Sequence, residues 1–148
     1  MFYISHFLMY CGTYLLCKNM AKDFIKWHVL KVKLQEKAHI PFFQQQEIWW
    51  CSIGVNLGYE EDGKNDFFER PVVIFKKFSK DYFWGIPLTS QKKKGKFYYQ
   101  FMIHGRKNTA LLWQLRLFSS KRLLRKMEKM PDSVYENIKK RIIEMHEK

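Results

Sequence analysis

Two hydrophobic periods follow each other along the chain, and the change from one to the other predicts the order of its elements. In residues 21–38, apolar positions recur near helical spacing, with charged residues between them. This pattern predicts an amphipathic helix that ends before Pro41, since proline stops a helix. From residue 47 onward, short runs rich in aromatic and β-branched residues replace it, which is typical of strands. The apolar positions of the predicted helix are Phe24, Trp27, His28, Leu30 and Leu34.

Five runs of this second kind predict five strands, with turn signals between them. The run Pro71–Phe75 is continuously apolar, so we expect this strand to be buried on both faces. Gly54 and Gly58 bracket a loop that continues to Asp66. The predicted strands cover residues 47–53, 71–75, 81–88, 96–103 and 110–117.

The carboxyl-terminal part predicts helices again. Ser119 or Ser120 can cap a short helix over residues 121–125, and Ser133 with Glu136 has the S-x-x-E form of a capping box. Apolar residues then recur on a single helix face. Together the elements favour an α+β fold, a small antiparallel β-barrel with an amino-terminal helix and carboxyl-terminal helices. The helix face consists of Val134, Ile138, Ile142 and Met145.

Length and composition indicate one folded domain. The chain has 148 residues, of which 47% are hydrophobic and 18% aromatic, which excludes a disordered tail or a coiled coil. Residues 1–17 carry no charge, but the run holds polar residues and lacks a positive start, so neither a membrane span nor a signal peptide is predicted. We expect residues 1–19 to lie outside the fold, through an upstream start codon, and residues 20–148 to form the domain. The alternative is a hydrophobic extension that packs on it.

The charge is concentrated in one segment. The net charge is +13, and residues 71–126 hold fourteen Lys or Arg with a single acid, Asp81. This excess predicts an anionic partner: nucleic acid, an acidic protein or an anionic membrane. Three cysteines without a C-x-x-C pair and five scattered histidines indicate neither a disulfide framework nor a metal site, so we expect no cofactor and a reducing cytoplasm.

Several short stretches in this order and spacing resemble the PemK/MazF family of type II toxin–antitoxin toxins. The resemblance covers residues 46–125 and includes an R-P-V strand, a P-L-T-S turn and a Q-L-R run. The matching stretches are Glu47–Trp50, Gly58–Glu60, Arg70–Ile74, Pro87–Ser90, Gln114–Arg116 and Arg122–Leu123.

The resemblance implies an SH3-like barrel that forms a homodimer and cleaves single-stranded RNA selectively and without a metal ion. It also implies an acidic antitoxin as inhibitor. Arg70 matches the family's catalytic arginine and Thr89 its catalytic threonine, while Gln114 and Arg116 match positions near the RNA groove. Many members have an acid three residues after the arginine of the Q-x-R run, whereas this chain has Ser119.

The residue types suit cleavage of RNA, whose 2′-hydroxyl is its own nucleophile. Arg70 offers a planar fork of donors for two phosphate oxygens, and Thr89 a hydroxyl at a turn. A general base remains to be assigned among the five acids in residues 60–69. We favour Glu60, with Glu69 as a further candidate; otherwise these acids form a solvated loop or restrain Arg70 through a salt bridge.

The basic segment supplies candidates for an RNA track, although its lysine run 92–94 can equally be a solvated hairpin tip. Gln114 can instead tie strands together. Two other functions stay open on the same barrel: a non-catalytic RNA- or protein-binding module, and a toxin that poisons a topoisomerase. The residues that we assign to the track are Ser90, Lys76, Lys77, Lys92, Lys93 and Lys94.

Overall fold

The computed structural model describes residues 22–147, so the segment 1–19, expected outside the fold, lies outside the described residues. Two helices flank seven strands. The chain begins with α1 (Phe24–Gln35) and ends with α2 (Asp132–His146). Between them lie β1 (Glu47–Ser52), β2 (Glu69–Lys77), β3 (Tyr82–Thr89), β4 (Tyr98–Ile103), β5 (Arg106–Leu111), β6 (Arg116–Ser119) and β7 (Leu123–Lys129), with 3-10 turns at Leu112–Gln114 and Ser120–Arg122.

All strand pairs are antiparallel, in the order β4-β5-β3-β2-β1-β7, and β6 also pairs with β3. One edge of β3 is therefore shared: Tyr82–Gly85 pairs with β6, and Leu88–Thr89 pairs with β5. This arrangement confirms the α+β fold with an antiparallel, barrel-like core, although the sheet is not closed. Among the described residues, no helix is long and apolar enough to cross a membrane.

The sheet buries one apolar cluster on each face. On one face, Val73, Ile86 and Leu88 pack with Ile138 and Ile142 of α2, which confirms the predicted apolar stripe. The other face packs around a second apolar cluster, which includes Phe43, Cys51, Val72, Ile74, Phe83 and Phe118.

A smaller cluster lies under α1, where Trp27 packs with Val55 and Phe68. Gly54 has φ +93°, and a Cβ there would lie 2.4 Å from the Trp27 ring, so this turn needs glycine. The helix uses a narrower face than predicted, since Phe24 and His28 are exposed, and it ends at Gln35, before the residue 38 that the pattern suggested.

Three local predictions were wrong. The predicted strand 110–117 is divided, because β5 pairs with β4 and ends at Leu111, and β6 pairs with β3 after a 3-10 turn. The predicted helix 121–125 is a 3-10 turn followed by β7, which pairs with β1 and provides hydrogen-bond partners for the backbone groups at its edge. The capping box does not form, since Pro131 is the N-cap residue and no side chain caps α2.

Candidate active site

The adjacent ends of β2 and β3 bring Arg70 and Thr89 together. The register pairs Val72 with Pro87, and continuing it by two residues places Arg70 opposite Thr89. Both side chains are largely buried, and both residues line a cleft of about 250 Å³, here called the central cleft. Ser90 lines the same cleft, so three predicted site residues meet there.

The loop between β1 and β2 holds the Arg70 guanidinium. Nη2 lies 2.6 Å from Oε1 of Glu61, and Nε donates a hydrogen bond of 2.8 Å to the Asp62 carbonyl oxygen. Burial lowers the pKa of Arg70, and the charges of Glu61 and Asp62 oppose that shift. Neither of these two contacts involves Nη1. This geometry agrees with the interpretation that an acid of the loop restrains Arg70.

Glu69 precedes Arg70 in β2 and is held by a different partner. Glu69 is 5% exposed, and its carboxylate accepts two hydrogen bonds from Arg125, at 2.7 and 3.0 Å. The guanidinium carbon of Arg125 in turn lies 4.7 Å from the centre of the Trp50 ring. Glu69 and Trp50 both line the central cleft, so this side of the cleft combines a carboxylate with an aromatic ring.

Glu60 does not line the central cleft. It is exposed, and its Oε2 accepts a hydrogen bond of 3.4 Å from the backbone N–H of Leu57 within the same loop. The structure therefore brings Glu61 to Arg70 and leaves Glu60 outside the cleft.

Gln114 and Arg116 form hydrogen bonds with the loop between β1 and β2. Gln114 donates to the Tyr59 carbonyl oxygen at 3.0 Å and accepts from the backbone N–H of Glu61 at 3.3 Å. Arg116 donates to Asn56 at 3.4 Å and to the Ile53 carbonyl oxygen at 3.3 Å. Gln114 thus ties down a loop, where the sequence suggested a tie between strands.

The pKa of Arg116 is lowered by burial and by the neighbouring charge of Arg122. Its guanidinium also lies over the Phe118 ring, at 4.8 Å from the ring centre. Arg116 is therefore positioned to hold the loop whose Glu61 contacts Arg70.

The three lysines predicted after β3 do not enter the site together. Lys92, Lys93 and Lys94 are all exposed, and Lys92 lines a second cleft of about 170 Å³, the turn-side cleft, which shares Ser90 with the central cleft. Lys93 and Lys94 line neither of these two clefts. The carbonyl oxygen of Lys93 accepts a hydrogen bond of 2.6 Å from the Gln100 side chain, which fixes its backbone next to β4 and leaves its ammonium in solvent. For Lys93 and Lys94, the solvated-tip interpretation therefore describes the structure better than a contact in the cleft.

The two lysines predicted on β2 are also outside the cleft. Lys77 donates to the Phe43 carbonyl oxygen at 2.8 Å, and Lys76 lies over the Phe78 ring. This pair stands six or more residues along β2 from Arg70, about 20 Å away. The direction of the strand thus carries both charges away from the site.

Ser119 stands at the opposite end of β3 from Thr89. It pairs with Tyr82, and its hydroxyl accepts a hydrogen bond of 3.3 Å from the backbone N–H of Lys121. Seven residues of strand, about 23 Å, separate Tyr82 from Thr89. A carboxylate at position 119 would therefore not reach the central cleft of the same chain.

The cleft also contains residues that the sequence pattern did not indicate: Arg106, Lys107 and Asn108. They begin β5, which the pattern placed only from residue 110. The sequence signal that was missed is the residue pair His104-Gly105 between two runs of strand type. In the structure both residues have positive φ, +46° and +72°, as in a two-residue hairpin turn. Among the described residues, no group of three His, Cys, Asp or Glu side chains is placed to hold a metal ion.

Comparison with known proteins adds to this geometry. A family model described as PemK-like, MazF-like toxin of type II toxin-antitoxin system matches residues 44–146, so the similarity extends beyond residue 125 through α2. The crystal structure of MazF (Form-I) from Deinococcus radiodurans is similar with a TM-score of 0.59 and 16% identity, covering 74% of this chain and 99% of that one.

The MazE-MazF (Form-II) structure from Deinococcus radiodurans is similar with a TM-score of 0.53 and 14% identity, covering 73% of this chain and 96% of that one. At these identities the likeness to solved structures shows a shared fold. No curated protein sequence shows significant similarity to the chain.

Proposed function

This chain belongs to the family of PemK-like, MazF-like toxins of type II toxin–antitoxin systems, and from that membership we propose that it is a metal-independent, sequence-selective endoribonuclease of the cytoplasm. Its substrate is single-stranded RNA, and its products carry 2′,3′-cyclic phosphate and 5′-hydroxyl ends. The observation that carries the proposal is the meeting of Arg70 and Thr89 at one cleft.

In the proposed reaction, the 2′-oxygen of the RNA attacks the adjacent phosphorus and loses its proton to a base. The bond from phosphorus to the 5′-oxygen breaks, and the 5′-oxygen takes up a proton. Arg70 stabilises the charge that develops on the phosphate oxygens and supplies donors near the leaving oxygen, while Thr89 adds a hydroxyl contact. One fixed donor of this kind contributes ~3–4 kcal/mol to lowering the barrier.

Binding of a phosphate by both terminal nitrogens of Arg70 requires exchange with Glu61, whose carboxylate contacts Nη2. We keep Glu60 as the proposed general base, because it precedes Glu61 in the loop that contacts Arg70. Glu69 suits the role less well, since Arg125 binds both of its carboxylate oxygens.

The test is incubation of a long single-stranded RNA with the protein in EDTA. We expect the wild type to cut the RNA and Arg70→Ala to cut it at least one hundred-fold more slowly, which corresponds to roughly 3 kcal/mol. Lys140→Ala, an exposed change on α2, serves as the matched loss of one positive charge. RNA left intact by the wild type refutes the nuclease, and equal cutting by Arg70→Ala refutes the site.

We also propose an acidic antitoxin as inhibitor and a homodimer as the active form. The basic segment 71–126 offers charge complementarity to an acidic chain. The second candidate function is a non-catalytic binding module, and the observation in its favour is the ion pair that occupies Arg70. The RNA experiment separates the two, because only the nuclease produces new ends.

A further inference from the structure

The central cleft is the middle of a longer groove. On one side it continues into the turn-side cleft, with which it shares Ser90, Lys107 and Asn108. On the other side it continues into an outer cleft of about 500 Å³, with which it shares Trp50, Arg106 and Met127. The three depressions therefore adjoin one another through shared lining residues, and together they are here called the groove.

The charge along this groove is strongly positive. Its two acids are each next to a basic residue of the groove itself: Glu69 is bound by Arg125, and Oε2 of Glu128 lies 3.1 Å from Nε2 of His104. Besides Arg70, the groove is lined by Lys64, Lys92, Arg106, Lys107, Arg125 and Lys126.

Two of these cations stand at the junctions. Arg106 lines both the central and the outer cleft, and Lys107 lines both the central and the turn-side cleft. Both are exposed, and no carboxylate among the described residues lies within 4 Å of either charge. Their charges are thus available to a ligand that runs through the groove.

An aromatic ring lies between the two wider clefts. Trp50 lines the central and the outer cleft and is partly exposed, although it lies in a strand whose neighbours Trp49 and Cys51 are buried. Arg125 covers one part of the ring and is itself fixed by Glu69. A basic groove with a fixed, accessible aromatic ring is the arrangement that binds unpaired nucleotides.

We propose that Arg106 and Lys107 bind the phosphates on either side of the cleaved nucleotide and that Trp50 stacks on an unpaired base. The proposal rests on the proposed function, because it extends the same RNA site. It assigns substrate binding to the start of β5, outside the Arg70–Thr89 pair.

The test measures binding without cleavage. The probe is a random-sequence pool of short 2′-O-methyl RNA, which lacks the nucleophile and stays intact. Each phosphate contact to a single strand contributes about 0.7 to the slope of log affinity against log salt. We expect Arg106→Ala/Lys107→Ala to reduce that slope by roughly 1.4, and the exposed pair Lys80→Ala/Lys140→Ala, with the same loss of charge, to leave it unchanged.

Replacement of Trp50 should change the affinity for the RNA pool and leave the slope of log affinity against log salt unchanged. Trp50→Leu is expected to bind the pool roughly tenfold more weakly, and Trp50→Phe, which keeps a ring, within about threefold of the wild type. If Trp50→Leu does not fold, as judged by circular dichroism, the ring is tested by Trp50→His, which should bind more weakly than Trp50→Phe, and equal binding by the His and Phe variants then overturns the stacking role. Equal binding by folded Leu and Phe variants overturns the stacking role.

In cleavage assays, Arg106→Ala/Lys107→Ala should raise KM with little change in kcat, unlike Arg70→Ala. An unchanged salt slope in this double variant overturns the proposal even if the wild type cuts RNA. The groove would then be a binding surface for an acidic protein segment. Binding with the expected slopes but no cleavage by the wild type supports the groove and refutes the nuclease.

Discussion

At the scale of single residues, the ion pair between Arg70 and Glu61 is the feature that most directly limits the proposed chemistry. The guanidinium that is to bind phosphate is already bound by a carboxylate 2.6 Å away. The side chain of Glu61 is 28% exposed and that of Arg70 only 8%. When a phosphate replaces the carboxylate at Nη2, Glu61 is therefore the partner that moves into solvent. The loop residue therefore competes with the substrate for the same donors.

Glu61→Gln is predicted to increase cleavage while it decreases stability. The amide binds Arg70 less tightly than a carboxylate, so substrate phosphate displaces it more readily, and initial rates should rise several-fold. Loss of this partly buried pair should lower the free energy of unfolding by about 1–2 kcal/mol. Urea unfolding and initial rates on RNA measure the two effects.

The control is Asp66→Asn, in the same loop, whose exposed carboxylate pairs with Lys26 and does not touch Arg70. It should leave the cleavage rate unchanged. Slower cleavage by the Glu61→Gln variant would show that the carboxylate assists the proposed reaction and does not merely restrain the arginine.

At the scale of elements, the carboxylate of Glu47 at the start of β1 links this strand to Lys126 of β7. Burial alone would raise the pKa of Glu47, but hydrogen bonds from Lys126, Gln44 and Trp49 outweigh this effect and hold the pKa below its ordinary value. The distances are 2.5 Å to Lys126 and 2.9 Å to each of the other two donors.

This shift predicts a pH dependence of stability. Because the pKa of Glu47 is lower in the folded than in the unfolded state, its contribution is present above the unfolded value of about 4.3 and is lost as the pH falls through the folded value. Glu47→Gln should therefore flatten the loss of unfolding free energy below about pH 4.5. Glu144→Gln, an exposed change on α2, should retain the wild-type profile.

The packing of α2 on the sheet gives a second prediction for an element. Ile138 is fully buried in the cluster under the helix, whereas Ile143 on the outer face is 57% exposed. Ile138→Ala should lower the free energy of unfolding by about 2–5 kcal/mol, since it removes buried methyl groups and leaves a cavity. Ile143→Ala should change it by less than about 0.5 kcal/mol. Thermal or urea unfolding compares the pair directly.

At the scale of the whole molecule, the positive charge is concentrated in one segment of the chain, residues 71–126. Residues 71–126 contain fourteen Lys or Arg and only one acid. Five acids lie in residues 60–69, in and next to the loop that holds Arg70. The proposed cleavage site thus stands where the loop carboxylates meet the basic surface.

This distribution predicts that antitoxin binding and RNA binding compete and depend on salt. An acidic antitoxin segment should displace the 2′-O-methyl RNA pool, and its affinity should fall steadily as salt is raised, because exposed charges are screened over about 10 Å at 0.1 M. Competition titrations at several salt concentrations measure both. Simultaneous binding, or an affinity that ignores salt, would contradict this interpretation.

Local patterns predicted much of the fold because they report which residues face an apolar core. The strands β1 to β4 lie close to their predicted positions, and the stripe on α2 packs as expected. The misplaced strands have one cause: a run such as Leu123–Lys129 pairs with β1, more than seventy residues earlier, and no local period reports that pairing. The same applies to β5, whose polar start Arg106–Thr109 is fixed by its neighbours β4 and β3.

By itself, the sequence determined the family, the concentration of positive charge and the residue types that suit RNA cleavage. Only the tertiary structure decided which of them meet: it joins Arg70, Thr89 and Ser90 at one cleft, and leaves Glu60 and all five predicted track lysines outside it. It also decided that Glu61 binds Arg70 and that Arg106 enters the groove. The physical reason is that residue spacing fixes which face a side chain occupies, whereas sheet register and loop path fix its neighbours.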